Sequence, residues 1–578
     1  MKKKVLMIVF IAIILCVTVL KHAFVCDLPI VANVELGVDD GLMINITKSL
    51  LKGEWVGNYN DVVLSKGITF PLVLAACYSL GIDYITMMSV LYTLACLIVM
   101  IVISKKVDNK FFLGILYTVL LFTPIMYSYQ VMQRIYRNAI IPSFALFIVS
   151  GYIYLLISRN DTKFWKRFIA SILTGIILAL FWYTREDSIW MIPFIGFMSL
   201  SLIISVLVKN KKINRELFKN LLLLIIPIIM IFGYRHIICT QNEKHFDVYT
   251  VYNNESYKKA MKSLKKVKKY DYYDNIDYTT AKLKKVAEVT CLKEVYGTLE
   301  GLVIGYSAFD SSPEEGEVAN GWFPWALKAA LNQNGYYANV QNTNLFYNTL
   351  HNEIEEALAD GRLEYEDVKP SVKKQLLKLW DATILTIKGV LKYDDIYIYG
   401  VPMKFVPGFE GVYQDFYEYT GNKFILYDTK TLENVNLTEN PNGYIDMIKE
   451  KTLIVEYLIK VYQKVNLVLF IMASLMYLVY TIIIFKGVIK KDFSKLEMWV
   501  IISGILGAML TLIMGIAYET AFNAYVITAM YLSAVYSLML LFSILMIGEF
   551  IKVIYEIIKK KKELISEMKQ EEKQVNEN

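Results

Sequence analysis

Residues 2–20 read KKKVLMIVFIAIILCVTVL, three lysines followed by sixteen residues without a charged side chain. A run of this kind approaches the roughly 20 apolar residues that an α-helix needs to cross the hydrocarbon core of a bilayer. Residues 21–24 offer no small-residue cleavage site, so the run is typical of an uncleaved membrane anchor rather than a signal peptide. The leading lysines predict that this end lies in the cytoplasm, because basic residues are retained on that side.

The rest of the chain repeats this pattern of apolar runs bounded by basic clusters. Its 578 residues are 56% hydrophobic, above the roughly 45–50% that is typical of soluble domains. We predict ten membrane spans, 5–21, 84–104, 111–127, 139–157, 168–184, 188–208, 219–238, 465–485, 496–516 and 524–548. Basic clusters occupy each turn that this count places inside, within 105–110, 159–167, 209–219, 486–495 and 559–562. The alternation predicts a multi-pass protein of the cell membrane with both termini in the cytoplasm.

The net charge of +7 does not indicate a partner among nucleic acids. Most basic clusters flank apolar runs, where they orient helices in the membrane. The six cysteines and four histidines show no metal-binding spacing, and neither a P-loop nor a GxGxxG motif occurs. Cys239 and Cys291 fall in one predicted outer segment, and the sequence does not decide whether they form a disulfide. Because the cytoplasmic turns are too short for a nucleotide-binding domain, we expect a substrate that comes from the lipid or from the outer side.

Residues 239–464 differ in composition from the apolar runs around them. They are rich in Tyr, Asn, Lys and Asp, and are long enough for one domain with its own core. Apolar spacing predicts a helix over 342–358, whereas 396–399 and 424–427 are typical of strands and 306–325 of an ordered loop. The predicted fold is an all-α polytopic membrane bundle of about ten transmembrane helices with an inserted extracytoplasmic mixed α/β domain. Its parts are an N-terminal membrane domain (1–238, with a first outer loop at 22–83), the inserted domain (239–464), C-terminal membrane helices (465–550) and a charged cytoplasmic tail (551–578).

The first outer loop contains two adjacent carboxylates, Asp39 and Asp40, in the stretch ELGVDDG of residues 35–41. Close to a low-dielectric surface the pKa of such a carboxylate rises, so that one of the pair can act as a general base. The same pair could hold a divalent cation. The alternative interpretation is an acidic loop in solvent.

A short apolar segment follows this acidic pair. Residues 68–80 are too short to cross a bilayer and, with residues 45–51, are typical of helices on the membrane surface. The acidic pair followed by KGITFPL (residues 66–72), which leads into that apolar segment, resembles the GT-C superfamily of integral membrane glycosyltransferases. The resemblance covers the organisation of residues 1–240. It implies a sugar donor linked to polyprenyl phosphate and a first-loop aspartate that acts as catalytic base, here Asp40 or Asp39, with Asp40 preferred.

A charged triplet, Arg185-Glu186-Asp187, stands at the predicted outer end of a span. Charges at this depth are expensive unless they are hydrated or paired. A guanidinium can bind phosphate through two parallel hydrogen bonds, so Arg185 is a candidate ligand of the donor phosphate. Glu186 and Asp187 could fix this arginine or bind a metal, and Tyr183 and Trp190 could stack on a sugar. All four are candidate substrate-lining residues. The alternative is a hairpin turn with aromatic residues at the membrane interface.

Two more arginines, Arg134 and Arg137, lie three residues apart on the predicted outer side, against the positive-inside tendency. They are candidate ligands of the donor phosphate, and contact with ordinary anionic head groups is the alternative. Three more residues are candidates to line the substrate site: Glu519 on the last outer turn, and Trp322 and Trp325 in the inserted domain. For them the alternatives are a solvated turn and a tryptophan-rich corner of the domain core.

These features together predict a membrane glycosyltransferase that moves a sugar from a lipid-linked donor to a glycan, lipid or protein acceptor on the outer side. No cofactor is certain, and a divalent cation at Asp39 and Asp40 is possible. The frequent Lys, Ile, Asn and Tyr are typical of an AT-rich bacterium, which favours synthesis of a cell-envelope polymer. The alternatives are a transporter or flippase of lipid-linked glycans and a non-enzymatic membrane-anchored binding protein. Against transport, the spans hold few internal charges.

Overall fold

The computed structural model describes residues 2–576 except for 27, 35–38, 161–162, 211–213, 274, 310–313, 368–370, 399–407, 422–440, 524–525 and 527. The N-terminal half of the bundle contains nine helices: α1 Lys2–Val25, α2 Asp40–Lys52, α3 Thr69–Leu80, α4 Tyr84–Ile103, α5 Lys110–Leu121, α6 Ile141–Ile157, α7 Phe164–Trp182, α8 Ile192–Asn210 and α9 Arg215–Phe246. Seven follow: α10 Glu255–Lys266, α11 Thr280–Val289, α12 Tyr296–Phe309, α13 Phe323–Gln333, α14 Val340–Ala359, α15 Val372–Lys392 and α16 Glu410–Thr420. The last helices are Pro441–Ile489, Leu496–Phe522, Thr528–Tyr531 and Ser533–Asn576.

Nine helices in the described part of the chain are long and apolar enough to cross a membrane. They are Lys4–Val25, Tyr84–Ile103, Arg137–Ile157, Phe164–Trp182, Ser188–Lys209, Arg215–Phe246, Glu450–Ile489, Leu496–Phe522 and Ser533–Glu563. Their outward side chains are apolar, as for Ile8 of α1, which is 66% exposed. An apolar surface of this extent is typical of contact with lipid, so the predicted membrane class is confirmed.

The predicted third span, 111–127, is shorter in the structure. Helix α5 has only 12 residues, which makes it about 18 Å long at 1.5 Å per residue. Pro124 has no backbone N–H to continue the helix, and it begins the 3-10 turn Pro124–Tyr127 instead. The predicted count of ten long spans is therefore wrong for the described residues, and the two short apolar helices are α3 and α5.

The lysine-rich turns and the first loop lie at opposite ends of the bundle. At one end, Glu497 pairs with Lys106, which follows α4, and with Arg159, which follows α6. At the other end, Tyr84 begins α4 and donates a hydrogen bond of 2.8 Å to the backbone carbonyl of Arg134, which precedes α6. The two ends of α4 and α6 therefore hold different sets of turns, with the charged candidate site residues at the second end. Which end faces the cytoplasm stays a prediction.

The inserted segment is helical where the structure describes it, so the predicted mixed α/β domain is wrong. A second hydrophobic core forms between residues 260 and 363, with Phe323, Leu327 and Ile354 fully buried. The described residues contain isolated β-bridges but no strand. Residues 396–398 form no regular secondary structure. The carbonyl of Tyr397 accepts a 2.7 Å hydrogen bond from the backbone of Tyr129, so this segment binds the bundle instead of a neighbouring strand. The predicted strand 424–427 lies outside the described residues.

Other boundaries of the predicted domain also move. Helix α9 continues past residue 238 to Phe246, and α12 and α13 occupy both ends of the predicted loop 306–325. Helices α15 and α16 belong to the bundle rather than the inserted domain, because Val390 of α15 and Phe416 of α16 are buried in its core. The predicted helix 342–358 is confirmed as α14. Cys239 and Cys291 are both free.

Candidate functional site

The two aspartates of the first loop differ in exposure. Asp40 begins α2, and its side chain is 0% exposed. Its carboxylate accepts hydrogen bonds from Nε of Arg134 at 3.1 and 3.2 Å and from Nδ2 of Asn33 at 3.1 Å. The neighbouring Asp39 side chain is 25% exposed. Arg134 therefore closes off Asp40. Its Nη2 also approaches Asp39 to 3.4 Å, but the Asp39 carboxylate stays partly exposed to a substrate.

Lys66 holds the exposed aspartate in place. Its ammonium donates to the carboxylate of Asp39 and lies 3.3 Å from the hydroxyl of Tyr136. Burial acts to raise the pKa of Asp39, but the cations of Lys66 and Arg134 outweigh it and hold that pKa below its ordinary value. The predicted rise in pKa is therefore wrong for Asp39, whereas burial does raise the pKa of Asp40 against the opposing charge of Arg134. At neutral pH Asp39 is ionised.

A glycine allows the Lys66 loop to reach this position. A Cβ atom built on Gly67 would overlap the backbone carbonyl of Tyr183 and would lie 3.0 Å from that of Thr184. Both carbonyls belong to the turn that follows α7. Because real Cβ atoms do not tolerate such contacts with backbone, only glycine brings Lys66 against this turn. Lys66 and Gly67 fall within the KGITFPL motif, but no local sequence pattern marks either one as a site residue.

The other two arginines each bind an exposed carboxylate. Arg137 donates to both carboxylate oxygens of Glu186, at 2.7 and 2.8 Å. Arg185 donates to Asp187 at 2.8 Å through Nε and to Oδ1 of Asn138 at 3.0 Å. Glu186 and Asp187 are 40% and 39% exposed, whereas the guanidiniums are almost fully buried. Glu186 and Asp187 can therefore turn away into solvent more easily than the buried arginines can move.

Two aromatic rings support these cations. The Tyr136 ring centroid is 5.2 Å from the guanidinium carbon of Arg134 and 5.3 Å from that of Arg137. Arg185 lies 5.1 Å from the ring centroid of Tyr531. Contacts of this kind stabilise a buried cation without neutralising it. We call the eight charged residues the charged cluster: Asp39, Asp40, Lys66, Arg134, Arg137, Arg185, Glu186 and Asp187.

The remaining predicted site residues are distributed over three places. Trp325 joins the charged cluster, with its ring centroid 5.5 Å from the ammonium of Lys66. Tyr183 is buried and packs edge-on against Tyr234. Trp190 is also buried, edge-on to the ring of Phe181, so it belongs to the bundle core.

Trp322 and Glu519 lie near each other, at a place separate from the charged cluster. Trp322 packs on Tyr306 with ring centroids 6.2 Å apart. Glu519 accepts a 2.6 Å hydrogen bond from Asn523, whose carbonyl accepts one of 3.1 Å from Gly321. Within the described residues, neither side chain forms a hydrogen bond, ion pair or ring contact with the charged cluster.

The charged cluster does not fit the divalent cation that the acidic pair suggested. A divalent cation takes about six oxygen ligands. The acidic pair offers only the partly exposed carboxylate of Asp39, whose charge Lys66 already balances, because Asp40 is fully buried on Arg134. The described residues also contain no group of three or more His, Cys, Asp or Glu side chains placed to hold a metal ion. The arrangement suits an anion instead, because its arginines are buried and their partners Glu186 and Asp187 are exposed.

Comparison with known proteins adds little to this description. No protein-family model matches the sequence, and no curated protein matches it. Among solved structures, the chain is distantly similar to crystal structures of ArnT from Cupriavidus metallidurans. Against the apo state the TM-score is 0.27 at 11% identity, over 90% of this chain and 78% of that one. Against the form bound to undecaprenyl phosphate it is 0.31 at 11% identity, over 92% and 77%. No conclusion about function rests on similarity this low.

Proposed function

We propose that this chain is a membrane glycosyltransferase that moves a sugar from a polyprenyl-phosphate donor to an acceptor hydroxyl on the outer side of the membrane. The observation that carries the proposal is an ionised, partly exposed carboxylate, Asp39, beside buried arginines whose own partners are exposed. Glycosyl transfer needs both elements. A base accepts the proton of the acceptor, and cations stabilise the phosphate as it leaves. The resemblance of the first loop to GT-C enzymes agrees with this chemistry.

Asp39, rather than Asp40, is the proposed base. The Asp40 carboxylate is fully buried and bound by Arg134 and Asn33, so it cannot reach a substrate. We therefore revise the sequence-based preference. Asp39 accepts the proton of the acceptor hydroxyl as its oxygen forms a bond to the anomeric carbon. The bond from that carbon to the phosphate oxygen breaks, and the polyprenyl phosphate leaves with the electron pair.

The donor phosphate is proposed to bind Arg137 and Arg185. Both are held by carboxylates that are about two-fifths exposed, so a phosphate can displace Glu186 and Asp187 without burying a new unpaired charge. Arg134 is different, because its partner Asp40 is buried and cannot leave. We assign Arg134 to positioning the first loop, not to the phosphate, which narrows the sequence-based set of three arginines to two.

The proposal is tested with full-length protein in nanodiscs and synthetic polyprenyl-phosphate sugars, by measuring release of polyprenyl phosphate. We expect Asp39→Asn to lower turnover by about 10²–10⁴-fold, the usual contribution of a general base. Asp415→Asn is the matched control, since Asp415 forms an ion pair with Lys48 at 2.8 Å outside the charged cluster. Full turnover in Asp39→Asn would overturn the proposal. Lost lipid movement with unchanged product would instead support transport.

A further inference from the structure

A lysine of the inserted domain stands beside the charged cluster without a carboxylate partner. Lys328 is on α13, one helical turn after Trp325, and is half-buried. Its ammonium lies 4.9 Å from the ring centroid of Trp325 and 5.7 Å from that of Tyr257. In the part of the chain that the structure describes, these two ring contacts are the close contacts of the ammonium, and no carboxylate lies within ion-pair distance of it. Asp61 and Glu186 act on this ammonium only at longer range. A half-buried cation without a bonded carboxylate is available to an anion.

Trp325 connects this lysine to the proposed base. The ring that Lys328 approaches also has the ammonium of Lys66 at 5.5 Å, and Lys66 binds Asp39. The inserted domain therefore contributes an aromatic ring and a cation directly next to the proposed point of transfer. An indole ring stacks on the CH face of a sugar, while an ammonium binds a carboxylate or phosphate.

Helix α13 is held in place by the second core and by the first outer loop. Phe323 and Leu327 of this helix are fully buried in the second core. Asn332, near its end, donates a 2.9 Å hydrogen bond to Asp61 of the first outer loop. In the same loop Tyr59 stacks on Tyr337 of the domain with ring centroids 5.6 Å apart. Trp325 and Lys328 are thus held in place before any ligand binds, as a specific subsite requires.

We propose that Trp325 and Lys328 form an acceptor subsite for an anionic sugar residue, with the sugar ring on Trp325 and its carboxylate or phosphate on Lys328. This inference rests on the proposed function, in which Asp39 receives the proton of the acceptor. It adds the substrate class to that function, since an anionic group on the acceptor is what Lys328 would select. Asp61, Lys66 and Glu186 are the charged groups that face Lys328, together with the phenol of Tyr257.

The test measures binding, so it does not depend on turnover. The probes are p-nitrophenyl glucoside, p-nitrophenyl glucuronide and p-nitrophenyl glucoside 6-phosphate, titrated by NMR into full-length protein in nanodiscs. We expect at least one anionic probe to bind about tenfold more tightly than the neutral one. Whichever anionic probe binds more tightly identifies carboxylate or phosphate as the natural group.

Variants identify the residue responsible. Lys328→Gln should remove the tenfold preference, and Lys328→Arg should keep it. Lys285→Gln is the matched control, because Lys285 is an exposed lysine of the same domain that pairs with Glu288 at 3.2 Å. Equal binding of all three probes, no binding of any probe, or a preference that survives Lys328→Gln would each overturn the subsite. The proposed function would stand or fall separately, on the turnover of Asp39→Asn.

A pH titration of the unmodified protein tests the same claim without a substitution. Burial lowers the pKa of Lys328 to about 8, although Asp61 opposes the shift. The ammonium is charged below that pH and loses its proton above it. The preference for anionic probes should therefore disappear between pH 7 and about pH 9, and a preference unchanged over this interval would contradict the role of Lys328.

Discussion

The two ends of the helical bundle hold charge in different ways. At the end formed by the lysine-rich turns, Glu497 pairs with Lys106 and Arg159, and all three side chains are partly exposed. At the other end, Asp40 and Arg134 form an ion pair that is almost completely buried. Exposed pairs contribute roughly 0–1 kcal/mol to stability, whereas a buried pair is expensive to assemble and more expensive to break. Charge buried at such a cost, with exposed carboxylates beside it, is typical of a functional site.

The largest expected difference between the two ends is in stability. Asp40→Asn leaves the buried guanidinium of Arg134 without its anion, and we expect it to lower the free energy of unfolding by about 3–5 kcal/mol. Glu497→Gln removes a partly exposed carboxylate and should cost at most about 1 kcal/mol. Thermal unfolding of the full-length protein in detergent measures both. Equal shifts in Tm would mean that the two ends do not differ as described.

A smaller effect is expected at the close approach of the first loop to the turn after α7. Gly67→Ala forces the Lys66 loop away from the carbonyl of Tyr183, which we expect to cost about 1–3 kcal/mol and to lower donor turnover. Gly507→Ala is the matched control, since a Cβ there meets nothing within 4 Å. Normal turnover in Gly67→Ala, measured as polyprenyl phosphate release, would show that the placement of Lys66 is not needed.

The smallest expected effect concerns the exposed carboxylates. Glu186→Gln removes a competitor for Arg137, so the KM for the donor should fall by about two- to fivefold, the equivalent of a partly exposed ion pair. Glu216→Gln is the control, because Glu216 pairs with Lys219 at 2.6 Å on the lysine-rich side of the bundle. Steady-state kinetics with varied donor measure both variants. A rise in KM would show that Glu186 contacts the donor itself.

Much of the fold could be predicted because lipid imposes a simple rule on sequence. Long apolar runs predicted a membrane protein, which the nine long apolar helices confirm. Basic turns predicted that Lys106 and Arg159 lie at the same end of the bundle, where both pair with Glu497. Apolar runs predict helix ends poorly where a segment packs against protein instead of lipid for part of its length. Pro124 ends α5 early although the apolar run continues. In the inserted segment, β-branched and aromatic residues indicated strands, but packing on the bundle decided the backbone of residues 396–398.

Most charged residues of the candidate site could be predicted from the sequence, but their pairing could not. Isolated charges at one membrane face identified Asp39, Asp40 and the three arginines, and the structure places them together; their action on a substrate stays a prediction. Asp40 is the buried carboxylate because it pairs with Arg134, which is 94 residues away in the sequence. No local sequence pattern contains this pairing. Lys66 was missed for the same reason, because its partner Asp39 is 27 residues away.

The central claim is that a lipid-linked phosphate binds at the end that contains Asp39. The most direct test is an electron cryomicroscopy structure of the full-length protein with a non-transferable polyprenyl-phosphonate sugar. We predict the phosphonate within hydrogen-bond distance of Arg137 and Arg185, with Glu186 and Asp187 displaced and the anomeric carbon facing Asp39. A phosphonate bound instead near Lys106 and Arg159, or a ligand that leaves both carboxylates on their arginines, would contradict the account.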